Sequence, residues 1–295
     1  MGDFDVFMEL SLADRIRFKG LLLKTYKYFS EFCKNNGISY CAAGGTMIGA
    51  VRHHGFIPWD DDIDVYMKRP DYDRFIALSS QLTETEFEIL DPSTPGYYCA
   101  HAKFSHRHST IWEFKGIPFV FGAYIDVFVL DYEDGDYGDV ARKRMDYAKK
   151  VNQFYLCSNH HPTKEIRKLF LQGALKKSLW YVCQRIFWGS FHSLLKRAIL
   201  RKPTQTQGEW LIAYTGTSGV RDIFRAEWFD EFISCTFEDT VINVPHGYDA
   251  TLKAMYGDYM SFPPVEQRKS HHPLFYVNLD KRISSKEIEL IQVGY

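Results

Sequence analysis

Between Ser11 and Asn36 the apolar positions Ile16, Leu22, Leu23, Tyr26, Phe29, Phe32 and Cys33 recur near helical spacing. A Ser11-x-x-Asp14 cap opens this stretch and Gly37 closes it, so a long amphipathic helix is expected. Ile38 to Ala43 then reads as a short strand, Gly44-Gly45-Thr46 as a turn, and Met47 to Arg52 as a brief helix. Ile63 to Met67 reads as a buried strand, followed by a helix capped by Asp71 and running through Leu82. Lys103, Trp112 and Phe114 fall in strands of the middle segment, and Val120 to Leu130 is a third strong strand. From Asp136 to Lys202 the pattern is helical, and from Thr236 strands and loops return, with turns at Pro245-His246-Gly247 and Pro263-Pro264.

These elements give an α+β fold: a mixed sheet with flanking helices and a helical insertion. Residues 1–135 form a catalytic core, 136–230 a mainly helical basic portion, and 231–295 a C-terminal segment that completes the site. With 45% apolar and 16% aromatic residues in 295, the chain can fill a large core. A formal net charge of −1 excludes nothing global except a nucleic-acid partner driven by overall charge. Six scattered cysteines form no C-x-x-C pair, which speaks against a disulfide scaffold or zinc ribbon. The first residues lack a basic-then-apolar leader, and the longest apolar stretch, Ile117 to Leu130, is too short for a bilayer span and contains Asp126. A cytoplasmic protein is therefore expected, resting at most on the inner face of a membrane.

The chemistry concentrates in Gly44 to Val65. Asp60, Asp61, Asp62 and Asp64 place four acids in five positions, a density that repels itself and is costly to bury without a cation. Asp62 and Asp64, two apart on a strand, leave by one face while Ile63 and Val65 enter the core. Oxygen ligands on a rigid edge suit Mg²⁺ or Mn²⁺. Asp126, alone in the apolar run Tyr124-Ile125-Asp126-Val127-Phe128, is the third carboxylate. Gly45 and Thr46 form a turn whose amides can approach a phosphate, and Arg52 can pair with a phosphate oxygen. Asp61 or Asp126 can act as a base. His101, His106 and His108 read as surface histidines.

The Gly44–Val65 segment, Pro70 to Phe75, Lys103, Tyr124 to Phe128, and a C-terminal block from Val244 through Tyr256-Gly257-Asp258-Tyr259, Pro263-Pro264, Arg268 and His271-His272-Pro273 together resemble the LicD-type phosphotransferases, which are related to fukutin and the fukutin-related protein. The resemblance implies a nucleotidyltransferase-like sheet core. It also implies transfer of a phospho-alcohol, phosphocholine first, from a CDP-alcohol to a cell-surface glycan or its lipid-linked precursor, with CMP released. It makes Asp62, Asp64 and Asp126 the metal carboxylates, Gly45 and Thr46 the phosphate turn, and Arg52, Lys103, Arg268 and His271 the phosphate or nucleotide contacts. The zinc-binding insertion of the fukutin-related protein is not evident, which favours a compact bacterial-type member.

A choline head group calls for aromatic faces, and Trp59, Tyr97, Tyr98 and Trp112 lie in the relevant segments. The same carboxylates would serve a nucleotidyltransferase moving NMP from an NTP to a sugar or protein; a non-catalytic nucleotide-binding module is the third reading. Between Lys164 and Lys202 ten Lys or Arg stand against one acid, Glu165, interleaved with Leu, Trp and Phe. This basic amphipathic hairpin reads equally as a surface for anionic lipid or as an ordinary helix pair with a solvated basic face.

Overall fold

The computed structural model describes residues 10–158, 167, 169–200, 205–270, 272 and 274–293. The first helix, α1 (Leu12–Asn35), starts where the cap is expected: the Ser11 hydroxyl accepts from the Asp14 amide at 3.1 Å, and Gly37 takes up φ +61° after the last turn. It buries Phe18, Leu22, Tyr26, Phe29, Phe32 and Cys33, spaced four, four, three, three and one apart, whereas Ile16 lies outside this stripe and is exposed.

A mixed sheet takes that stripe. Its strands are β1 (Cys41–Ala42), β2 (Asp64–Lys68), β3 (Phe87–Leu90), β4 (Ala102–His106) and β6 (Tyr124–Glu133), in the order β1-β2-β6-β4-β3. β2 and β6 pair in parallel; the other neighbours on this path are antiparallel. Phe29 meets Phe104 of β4 edge-on at 5.4 Å and Phe75 at 5.7 Å, so aromatic rings seal α1 and α3 (Arg69–Ala77) to one face. The architecture is the expected mixed α/β arrangement, a mixed sheet with flanking helices.

Several local expectations shift. The glycine turn is itself helical: α2 (Gly44–Ile48) begins at Gly44 and continues into a π-helical turn, Gly49–His53. Asp71 is not the cap of α3; Lys68 is, and Asp71 lies in the first turn, where it accepts from Arg74. Phe114 falls beyond β5 (Thr110–Trp112), and α3 stops at Ala77 before a separate turn, Ser79–Leu82.

The segment expected to be mainly helical supplies α4 (Tyr137–Ser158) and α5 (Leu175–Ile199), which pack together around Phe154, Leu195 and Ile199. It then returns to the sheet as β7 (Trp210–Ile212) and β8 (Ile223–Arg225), with β7 antiparallel to Asp131–Glu133 at the far end of β6. A hairpin, β9 (Phe232–Phe237) with β10 (Thr240–Pro245), and α6 (Tyr248–Tyr256) follow. Finally β11 (Tyr276–Asn278) pairs with β5, and α7 (Ser285–Val293) sets Ile288 against Trp112.

Two ion pairs tie the layers. Arg69 grips both oxygens of Asp131, at 2.6 and 2.8 Å, fixing α3 to β6. Arg144 of α4 donates to Asp222 at 2.9 Å and to the Gly216 carbonyl at 2.6 Å, with both side chains almost wholly buried. Asp222→Asn, which leaves the Arg144 charge uncompensated, is expected to cost about 3 kcal/mol in urea denaturation. Glu86→Gln, which breaks the exposed Lys24–Glu86 pair, should cost under about 0.5 kcal/mol.

Candidate active site

The parallel pairing of β2 and β6 sets Asp64 directly opposite Asp126, and because the two are in register their side chains leave by the same face. Asp62 lies just before β2, and the Ile63 carbonyl between them accepts from the Asp126 amide at 2.9 Å. The chain upstream is laced to this edge: the Ala43 amide donates to the Asp64 carbonyl at 2.9 Å, and the Asp64 amide donates to the Thr46 hydroxyl at 2.8 Å. Thr46 therefore pins the strand. A β-carbon on Gly45 would stand 2.6 Å from Asp60 Oδ2, so only glycine lets the Asp60 carboxylate lie against this backbone. The glycine turn thus seats carboxylates, where the sequence alone suggested a phosphate.

Asp126 is the neutralised member of the set. Its Oδ1 accepts from Lys103 Nζ at 2.6 Å and lies 3.0 Å from His101 Nε2. Burial would raise the Asp126 carboxyl, but Lys103 and His101 outweigh it and hold it below the usual carboxylate range. Burial would likewise strip the Lys103 proton, and Asp126 reverses that, raising its pKa. Lys103 rests over the Tyr124 ring at 3.4 Å. It is buried and bound to Asp126 and does not reach out as a free phosphate contact.

Asp64 has a different environment. Burial first, then the charges of Asp62 and Asp126, push its carboxyl well above the usual range. Asp62 is raised by burial and by Asp126 and Asp61, against the pull of His272. Asp60 is pushed up to about 7 by burial and by Asp62. His272 bridges the acidic run, with Nδ1 2.9 Å from Asp61 Oδ1 and Nε2 3.3 Å from Asp62 Oδ2. Burial disfavours its charge, yet Asp62 and Asp61 push its pKa up to about 10. Both oxygens of Asp61 are engaged, one by His272 and the other by Ser270 at 2.7 Å, which leaves Asp61 poorly placed to act as a base.

His271 lies outside the described residues, and its neighbour His272 is the histidine that reaches the carboxylates. His101 and His106 are not surface histidines. His101 stands two residues before Lys103 and so shares its face toward Asp126, while His106 is buried against Ser109; His108 alone of the three is exposed. The alternation of His101 with Lys103 was a signal available in the sequence. Glu113 gave none beyond being an acid among aromatics. It is buried and held by the hydroxyls of Tyr98 and Tyr124 at 2.6 and 2.7 Å.

Arg52 and Arg268 converge on one ring. Their guanidinium groups lie 4.7 and 5.4 Å from the Phe262 centroid, and Arg268 is also 5.6 Å from Trp59. Arg52 donates to the Tyr259 and Ser261 carbonyls, and Arg268 to the Pro263 carbonyl. Of the four rings considered for a choline cage, Tyr97, Tyr98 and Trp112 are buried in the core, with their polar atoms bonded to His101, Glu113 and Ile117. Only Trp59 is partly exposed, 6.2 Å from Phe262.

Among the described residues no three His, Cys, Asp or Glu side chains are gathered so as to hold a metal ion. The donor set nevertheless fits a hard divalent cation in kind. Asp62, Asp64 and Asp126 offer oxygen ligands, and Lys103 and His272 do not match the charge of the five clustered acids.

Residues 37–136, which hold all three carboxylates, match the family model described as LicD/FKTN/FKRP, nucleotidyltransferase domain. The chain is 29% identical over 255 residues to the lipopolysaccharide cholinephosphotransferase LicD of Haemophilus influenzae, covering 85% of this chain and 92% of that protein. Shorter likenesses join it to an uncharacterized protein of Rickettsia typhi, 35% identical over 23% of this chain and 22% of the relative, and to one of Rickettsia prowazekii, 42% identical over 17% and 19%. The chain is thus similar to LicD proteins both in the domain of residues 37–136 and, at lower identity, over most of its length.

Lys103→Met, which leaves Asp126 buried with only His101 beside it, is expected to lower stability by about 3 kcal/mol. Lys103→Met combined with Asp126→Leu should recover much of that loss, as read from paired urea titrations.

Proposed function

We propose that this protein transfers a phospho-alcohol, phosphocholine first, from a CDP-alcohol to a sugar hydroxyl of a cell-surface glycan or its lipid-linked precursor, with CMP as the leaving group. The observation that carries this reading is the Asp64–Asp126 pair on adjacent parallel strands with Asp62 beside it, in a chain similar over most of its length to the Haemophilus lipopolysaccharide cholinephosphotransferase. The reading places the centre on a nucleotidyltransferase-like core. Asp62, Asp64 and Asp126 would hold Mg²⁺ or Mn²⁺, and the cation, when bound, offsets the charge of the diphosphate and of the carboxylates themselves.

The protein's own groups do the rest. Lys103 and His101 keep Asp126 ionised and fix its Oδ1, so that its carboxylate would be charged and oriented when a cation binds. His272 orients Asp61 and Asp62 through its two ring nitrogens. Arg52, Arg268, Trp59 and Phe262 form a rim of cations and rings suited to the nucleotide end of the donor. Gly45 and Thr46 hold the geometry from beneath.

The test is release of CMP or pyrophosphate by purified protein given CDP-choline, CDP-ethanolamine, CDP-glycerol, CDP-ribitol or the four NTPs, with Mg²⁺, Mn²⁺ or EDTA. Metal-dependent CMP release from CDP-choline is expected, reduced at least about a hundredfold in Asp62→Asn and Asp64→Asn. Pyrophosphate from an NTP would instead establish nucleotidyl transfer. Gly45→Ala should keep the melting temperature within a few degrees, since the strain falls on a movable carboxylate, yet lower turnover about tenfold or more.

A further inference from the structure

Helix α5 is apolar on two sides. Leu195 and Ile199 turn inward and pack with Phe154 of α4 and with Ala100, the neighbour of His101, so the helix is anchored on the segment that touches Asp126. On the outer side Leu175, Leu179 and Val182 follow one another at spacings of four and three, with Trp180 and Leu194 beside them, all exposed; Leu179 is 64%, Trp180 58% and Leu194 62% accessible. At about 100° per residue these positions occupy one outward arc of roughly 160°. Phe170 and Leu171, just before the helix, are 61% and 75% accessible and extend the same apolar surface. Large exposed side chains in such number on one element mark a surface that is covered in use.

The charge of the segment identifies the cover. Between Lys164 and Lys202 ten basic residues stand against one acid, a net +9 in a chain whose total is −1. Lys176 and Arg197 are exposed within the outward arc of α5, and Lys177 is exposed beyond its edge. A second copy of this chain docking through the same face would bring the exposed Lys176 and Arg197 of one copy against those of the other. No helix among the described residues is long and apolar enough to cross a membrane. Exposed Trp and Leu interleaved with Lys and Arg, on a helix that does not span, match the chemistry of a bilayer surface bearing anionic head groups.

We propose that the outer face of α5, with Phe170 and Leu171, lies on an anionic lipid surface, its leucines and tryptophan entering the head-group boundary and its lysines pairing with lipid phosphates. This docking rests on the exposed face and its charge, whichever donor the carboxylate centre takes.

The test is co-sedimentation of the full chain with vesicles of phosphatidylcholine alone or mixed three to one with phosphatidylglycerol, at about 0.05 M and about 0.5 M NaCl. Binding is expected on the anionic vesicles at low salt, at least about tenfold weaker on neutral vesicles or at high salt. A blue shift of tryptophan emission should accompany it and be lost in Trp180→Phe. The combined variant Leu175→Gln, Leu179→Gln and Trp180→Gln, and separately Lys176→Glu with Lys177→Glu, should each weaken binding at least about tenfold. Because these side chains are exposed, circular dichroism and melting temperature should not change. Three results would overturn the proposal: a parent protein that stays off the anionic vesicles, equal binding by parent and variants, or a concentration-dependent dimer in light scattering that the leucine variant disrupts.

Discussion

The centre depends on one constraint: β2 and β6 run in parallel and in register, so Asp64 and Asp126 cannot move apart. Two carboxylates fixed in this way, with Asp62 next to them in a largely buried edge, repel strongly where the dielectric is low. Much of the surrounding structure acts to manage that repulsion. Lys103 and His101 sit on Asp126, His272 spans Asp61 and Asp62, and Asp64 keeps the raised proton affinity of a carboxylate among like charges. The positive groups bonded to this edge, Lys103 and His272, are fewer than the acids they face.

The elements that carry these partners come from distant parts of the chain. Lys103 and His101 belong to β4 and the residue before it, brought beside Asp126 by the antiparallel β4–β6 pairing. His272 arrives on the C-terminal segment, which is drawn back along the sheet when β11 pairs with β5 and when Arg282 bonds the carbonyls of Arg107 and Val120. Tyr256, at the end of α6, places its hydroxyl where a side chain on Gly44 would meet it. The C-terminal segment therefore packs against the carboxylate edge, and α4 and α5 reach the same sheet through Ala100 and through the β7 strand.

The sequence by itself determined the local terms. Helical spacing and the Ser11 cap defined α1, and the solitary acid in an apolar run singled out Asp126. The density of acids marked Asp60 to Asp64 as a segment that needs compensating charge, and the count of basic residues between Lys164 and Lys202 set that segment apart. Each of these properties depends on neighbours within a few residues, which is why it is legible in one dimension.

Only the tertiary structure decided the pairings. That Lys103 neutralises Asp126, that His272 bridges the acids, that Tyr97, Tyr98 and Trp112 are core, and that Arg52 and Arg268 meet on Phe262 all depend on strand order and on contacts between residues far apart in the chain. The same holds for α5, whose two apolar sides look alike in sequence until packing against α4 buries one and leaves the other exposed. Hydrophobic and charged patterns state what each residue requires, but which partner meets the requirement is set by the register of β-strands and by the surface that remains once the core is filled.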